Sequence, residues 1–245
     1  MTAILAAQTD GSRPDLDVGA VLGAMWRVLA RRGLDLLVVG APFVILPQVI
    51  AGFLPQNLEA VKLALGLPGV VFTGGASLIA YAELSGGSIT SWKAIGGGLG
   101  RFGTLWAVGV LSGLAIGLGT ILLVVPGLIA MIGWIPASAT VMVENTGSTE
   151  ALGRAWRRTQ GVRWRLALLS LLVFVAVLLG FVVVLIADLA VMSTAGEAAM
   201  NQVSNLVVAP LYAFVVVALM TAFSTAVYAA LRPAGAPAVV ADVFA

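Results

Sequence analysis

Residues 105–164 read LWAVGVLSGLAIGLGTILLVVPGLIAMIGWIPASATVMVENTGSTEALGRAWRRTQGVRW, and no Asp, Glu, Lys or Arg stands between Arg101 and Glu144. One crossing of a bilayer takes about 20 apolar residues. An uncharged run of more than 40 residues, broken at Val124-Val125-Pro126-Gly127, therefore reads as two membrane crossings joined by a very short turn. The run ends at Glu144-Asn145-Thr146-Gly147 and passes into Ser148–Gln160, an amphipathic stretch carrying Arg154, Arg157 and Arg158. The pattern is a helical hairpin in lipid followed by a helix lying on the membrane surface.

The flanking sequence fits the same class. Of 245 residues, 60% are hydrophobic and only 10% charged, with a mean hydropathy of +1.08, whereas soluble domains carry about 25% charged residues. The apolar stretches are long and lack the alternation of barrel strands, so helices are the way to satisfy the backbone in lipid. The chain has no cysteine and no histidine. It thus lacks disulfides, thiolate metal sites, and the commonest general base and metal ligand. No cofactor and no metal site are expected, and nothing points to nucleic acid.

From the N-terminus, residues 1–17 have no basic start and apolar core of a signal peptide and read as a tail. Asp17 is placed to cap a helix over 18–32, in which Val21, Leu22, Met25, Val28 and Leu29 share a face and Arg27, Arg31 and Arg32 lie elsewhere. A first crossing over 34–54 is bent by Pro42 and Pro47 and holds Gln48. A second covers 61–82, rich in small residues. A second surface helix is expected over 88–102, then a third crossing over 104–124 with Gly109, Gly113 and Gly117 on one stripe. That spacing suits close helix packing. The fourth crossing, 128–143, is short and kinked at Pro136. The fifth covers 166–191, and an outer loop holds Glu197 and Asn201. The sixth covers 206–231, where Ala218, Ala222, Ala226 and Ala230 form a second stripe that can face the first. The stripes serve either the monomer or a dimer. The remainder, 232–245, reads as a tail.

On this reading 12 of the 13 Lys and Arg lie on one side, leaving Lys62 on the other. The positive-inside rule makes that side cytoplasmic, with both termini inside. Each hairpin follows a stretch with a tryptophan and a base: Trp26-Arg27, Trp92-Lys93 and Trp156-Arg157, spaced 66 and 64 residues apart. These suggest three repeats, 18–82, 88–143 and 148–231, within one membrane domain over 18–231. The fold expected is an all-helical bundle of six crossings in three hairpins, with up to three amphipathic cytoplasmic interfacial helices. An indole beside a cation at headgroup depth suits anionic lipid.

One motif is more specific. Val125-Pro126-Gly127-Leu128, then Pro136, then Glu144-Asn145-x-Gly147-x-x-Glu150-Ala151-Leu152-x-Arg154-Ala155-Trp156-x-x-Thr159-x-Gly161 resembles a group of bacterial inner-membrane proteins. The group includes the YciC-like proteins and the membrane domain attached to some glycerophosphoryl diester phosphodiesterases. The resemblance implies a multi-pass protein of the bacterial cytoplasmic membrane. The residues here leave no room for a phosphodiesterase barrel of about 250 residues, so that activity is not expected. Physically, Pro126 and Gly127 would make the outer turn, and Gly147 would let the chain leave the fourth crossing. Ser148 or Thr149 would cap the next helix, and Glu144 would pair with an arginine of a surface helix.

Three function classes follow. A non-enzymatic protein acting by binding, as scaffold, accessory subunit or anionic-lipid-interacting protein, fits the bases and the lack of catalytic groups. Its partners would be membrane lipids, a membrane protein or a second copy. The alternative is a permease for a small amphipathic compound, with Gln48 lining a midplane site and Asp35 or Asp188 as coupling acid. An embedded enzyme is disfavoured, since histidine and cysteine are absent and Glu83, Glu144 and Glu150 are the only acids clustered on the cytoplasmic side.

Overall fold

The computed structural model describes residues 16–55 and 57–232. Described residues form helices without a strand. In chain order these are α1 (Val18–Gly40), the π-turn π1 (Ala41–Ile45), α2 (Leu46–Phe53), α3 (Glu59–Gly66), α4 (Gly69–Ser85), α5 (Ser91–Gly100) and α6 (Phe102–Leu122). There follow α7 (Val124–Gly133), α8 (Ala137–Glu144), α9 (Ser148–Arg158), α10 (Arg163–Val203), the π-turn π2 (Ser204–Val208) and α11 (Ala209–Leu231). Six segments are long and apolar enough to cross a membrane: Val18–Phe53, Glu59–Ser85, Phe102–Leu122, Val124–Glu144, Arg163–Ala195 and Glu197–Leu231. The described residues are thus all-helical, with six helices that by length and composition suit a multi-pass membrane protein. The two tails read from sequence lie almost entirely outside the described residues.

Asp17 caps α1 by accepting from the amides of Gly19 (2.8 Å) and Ala20 (3.2 Å). The helix then bends at Arg32 (φ −113°, ψ 15°), where the surface helix and first crossing were expected to meet. The same conformation recurs at Arg101 (φ −112°, ψ 10°) between α5 and α6 and at Val162 (φ −114°, ψ 5°) before α10. Each residue sits in the sparsely populated bridge region, and each introduces a long apolar helix.

The two π-turns share a cause. Pro47 and Pro210 each follow the residue that closes the wide turn, and the amides of Leu46 and Ala209 bond five residues back, to Ala41 and Ser204. A proline ring collides with the carbonyl four residues before it. One extra residue in the turn moves that carbonyl aside.

Four expectations need correction. The turn between α6 and α7 is Leu123 alone, in extended conformation (φ −157°, ψ 123°); Pro126 and Gly127 lie inside α7. A Cβ on Gly127 would stand 2.8 Å from the Thr120 amide nitrogen, so glycine is needed for the close approach of two helices. Leaving α8, the left-handed residue is Asn145 (φ 54°, ψ 38°), and Gly147 is itself the N-cap of α9 without a side-chain bond from Ser148 or Thr149. The outer loop around Glu197 and Asn201 is helical, and the chain reverses at Gly196 (φ 85°, ψ 172°), a conformation open chiefly to glycine. Lastly, Gly109, Gly113 and Gly117 have open space where a Cβ would be, so the stripe packs against no helix in this chain. The alanine stripe is spent elsewhere: Ala218, Ala222 and Ala226 are buried on α11, which packs against α1, α4 and α8.

The core has a position as well as a composition. Phe72, Leu78, Ile79, Val141, Val143 and Tyr228 are fully buried on α4, α8 and α11, toward the end of the bundle where the bases lie. At the other end Ile121–Val125 and much of 181–192 are exposed. Helices α6 and α10 keep most of their apolar side chains on the outside, a surface that hydrocarbon rather than water would cover.

Candidate functional site

Among the described residues, every Lys and Arg except Lys62 belongs to one end of the bundle. Three partly buried junctions organise that end.

The first is built on Glu144, at the C-terminus of α8, whose side chain is only 9% exposed. It accepts from Arg154 (2.6 Å) and Arg158 (2.5 Å) of α9 and from the Tyr228 hydroxyl of α11 (2.7 Å). The Arg158 guanidinium also lies over the Tyr228 ring, 5.2 Å from its centroid. Arg154 continues to Glu150, one turn back on its own helix, at 2.6 Å. The bonds to Glu144 and then Glu150 raise the Arg154 guanidinium above its ordinary value, so it remains a fixed cation. The expected pairing of Glu144 with an arginine is present; the second arginine and the tyrosine were not foreseen.

The second junction fixes the other end of α9. The Trp156 ring packs on Trp134 (centroids 5.9 Å apart) and takes the Arg163 guanidinium on its face at 3.8 Å. A Cβ on Gly133 would stand 2.6 Å from the Trp156 ring, so the indole fills a notch that only glycine leaves. The Thr159 hydroxyl donates to the Gly133 carbonyl at 3.2 Å. With Ala151 and Ala155 fully buried, α9 lies flat on α6, α7 and α8.

In the third, Glu83 at the end of α4 accepts from Arg32 (2.9 Å) and Arg31 (3.5 Å) of α1. Arg32 also reaches Asp35 (3.2 Å), which accepts from Ser91 of α5 (3.1 Å). Arg232 donates to the Tyr81 hydroxyl, and the Tyr81 and Tyr228 rings meet edge to face at 5.9 Å. The two tyrosines hold matching places in Tyr81-Ala82-Glu83-Leu84-Ser85 and Tyr228-Ala229-Ala230-Leu231-Arg232.

The residues picked out from sequence separate into two groups. Trp26 and Trp92 are 70% and 80% exposed, with Arg27 and Lys93 exposed beside them. Trp156 is packed inside, Arg154 and Arg158 are consumed by Glu144, and only Arg157 of that cluster points outward. A third exposed Trp-base pair is nevertheless present eight residues on: Trp164, 83% exposed, beside Arg165. Sequence reading missed it, although the dipeptide itself was the signal. Gln48 lies on the outer surface and does not line an internal site. Asp188 accepts from Ser204 across the α10–α11 hairpin at 3.1 Å.

This end of the molecule can present cations and indoles outward, while its carboxylates are spent in holding helices together. Comparison with known proteins adds no neighbour: no family model, no curated protein and no solved structure matches the chain.

Proposed function

We propose that the protein works by binding, as an anionic-lipid-interacting scaffold or accessory subunit of the bacterial cytoplasmic membrane, and not as an enzyme. The observation that carries the reading is the set of exposed pairs Trp26-Arg27, Trp92-Lys93 and Trp164-Arg165 on one end of a membrane bundle. An indole prefers headgroup depth, and each base close to an anionic surface contributes about 1 kcal/mol.

In this proposal the crossings form three hairpins, and the first part of α1, α5 and α9 lie in the interface as three related arms. The recurring backbone at Arg32, Arg101 and Val162 supports a threefold repeat. The excess of bases at that end supports a cytoplasmic position for it and for both termini. The resemblance of the Val125–Gly161 stretch to YciC-like proteins, read from sequence alone, is in keeping with this location. A permease is supported by no comparable observation, because Gln48 faces outward and Asp35 and Asp188 are each already hydrogen-bonded to a neighbouring side chain.

The test uses the full chain in bilayer discs made with brominated phosphatidylglycerol or brominated phosphatidylcholine. Tryptophan fluorescence should be quenched more strongly by the anionic lipid. Replacing Arg27 and Lys93 by glutamine should weaken that preference. Equal quenching by both lipids in the unaltered protein would overturn the reading.

A further inference from the structure

Two cavities meet at one residue, Trp134, and they differ in chemistry. The inner one is a cleft of about 270 Å³ between α4, α6 and the α7–α8 junction, lined among others by Val70, Leu105, Val108 and Gly109. Three hydroxyls also border it, and each is already engaged. Thr73 donates to the Gly69 carbonyl (3.1 Å), Ser112 to that of Val108 (2.6 Å), and Ser138 pairs with Ser224 (3.1 Å). A cleft whose hydroxyls already donate within the protein offers a ligand mainly apolar contact. It suits a hydrocarbon chain and disfavours a sugar, an amino acid or an ion.

The outer cavity is a more open groove of about 380 Å³ bordered by Trp134, Leu152, Gly153, Trp156 and Arg157. Of the arginines on α9, Arg154 and Arg158 are neutralised by Glu144 and Glu150. Arg157 makes no ion pair among the described residues and stands at the groove. One cation without an ion-pair partner, walled by two indoles, adjoins a largely apolar cleft.

We infer that this pair of cavities holds a single anionic glycerophospholipid, its phosphate at Arg157 and one acyl chain in the cleft beside Gly109. The inference rests on the lipid-binding reading above and deepens it: beyond a diffuse preference for anionic headgroups, one lipid is held at a defined place. Charge complementarity at Arg157 and a largely apolar cleft on the other side of Trp134 together favour an amphiphile with one anionic head. The indoles of Trp134 and Trp156 would flank the glycerol region, where aromatic rings are favoured. The open space over Gly109 is then the room the chain requires, which explains a glycine that meets no helix.

The experiment is native mass spectrometry of the full chain, released from detergent micelles after titration with phosphatidylglycerol or phosphatidylcholine. The unaltered protein should retain one phosphatidylglycerol through collisional activation that strips the others, and should retain phosphatidylcholine less well. Gly109→Leu fills the cleft, and an added Cβ there meets nothing within 4 Å, so the protein should fold and lose the retained lipid, with apparent affinity falling about tenfold or more. Gly113→Leu, on the same helix with equal space but away from the cleft, should bind as the unaltered protein does. Arg157→Gln should keep a lipid and lose the choice between the two headgroups.

A Gly109→Leu protein that still retains one lipid overturns the cleft while leaving the broader reading intact. Conversely, a retained phosphatidylglycerol in a protein whose bromolipid preference is unchanged by replacing Arg27 and Lys93 removes the broader reading and leaves the cleft. Retention of free fatty acid in place of phosphatidylglycerol would overturn the assignment of the phosphate to Arg157.

Discussion

Glu144 ties three helices together from the last position of α8, and its two oxygens are shared among Arg154, Arg158 and Tyr228. Breaking a buried ion pair by deleting one partner leaves the other charge uncompensated, at a cost of about 3 kcal/mol or more. Glu144→Gln should therefore lower the thermal unfolding midpoint in detergent substantially. Tyr228→Phe removes one hydrogen bond to a charged group and should cost less, about 1.5 kcal/mol. Equal midpoints for the unaltered protein and Glu144→Gln would show that the network adds nothing. The pairing of Glu144 with α9 was legible because ten residues and one turn separate acid and base. Tyr228 was not, since 84 residues intervene and no periodicity links them. Trp156 misled for a similar reason: its distance from Trp92 matched the repeat, but helix register turns it inward onto Gly133, and Trp164 takes the exposed place.

At the scale of elements, the hairpin of α6 and α7 separates two uses of glycine that look alike in sequence. Gly127 lies against Thr120, and Gly119 lies against Gly127, where a Cβ would stand 3.1 Å from its amide nitrogen. Gly113 faces open space. Gly127→Val should force the helices apart and cost about 1–3 kcal/mol as an overpacking change. Gly113→Ala should be neutral or slightly stabilising, given the better helix propensity of alanine. Thermal midpoints of the two variants read this directly, and a Gly127→Val protein as stable as Gly113→Ala would contradict the close approach. Six helices long and apolar enough to cross a membrane, and the irregularities at Pro47 and Pro136, were readable from hydropathy and proline. Which small residues meet a neighbour was not, because a four-residue spacing fixes a face and not what lies opposite. The reversal at Gly196 was hidden as well: polar Glu197 and Asn201 suggested a loop where the backbone needs one glycine.

For the whole molecule the distribution of packing matches that of charge. The buried core of α1, α4, α8 and α11 and all but one of the described bases share an end, while the far ends of α6, α7, α10 and α11 expose apolar side chains. A bundle pinned at one end by ion pairs can leave its far half to lipid, which solvates that surface without the cost that water would impose. The positive-inside rule then gives the arrangement a direction. Because the chain has no native cysteine, single replacements report that direction cleanly. Asn57 and Thr194 lie at the far end and are exposed, whereas Gln160 lies beside Arg157 and Arg158 and is exposed as well. In intact bacterial cells a membrane-impermeant maleimide should label Asn57→Cys and Thr194→Cys, and should reach Gln160→Cys only after the membrane is permeabilised. Labelling of Gln160→Cys in intact cells, with Asn57→Cys protected, would invert the molecule. That result would set the Trp-base pairs against the outer leaflet and remove the cytoplasmic scaffold role, since a basic face is held by anionic lipid only where that lipid is presented.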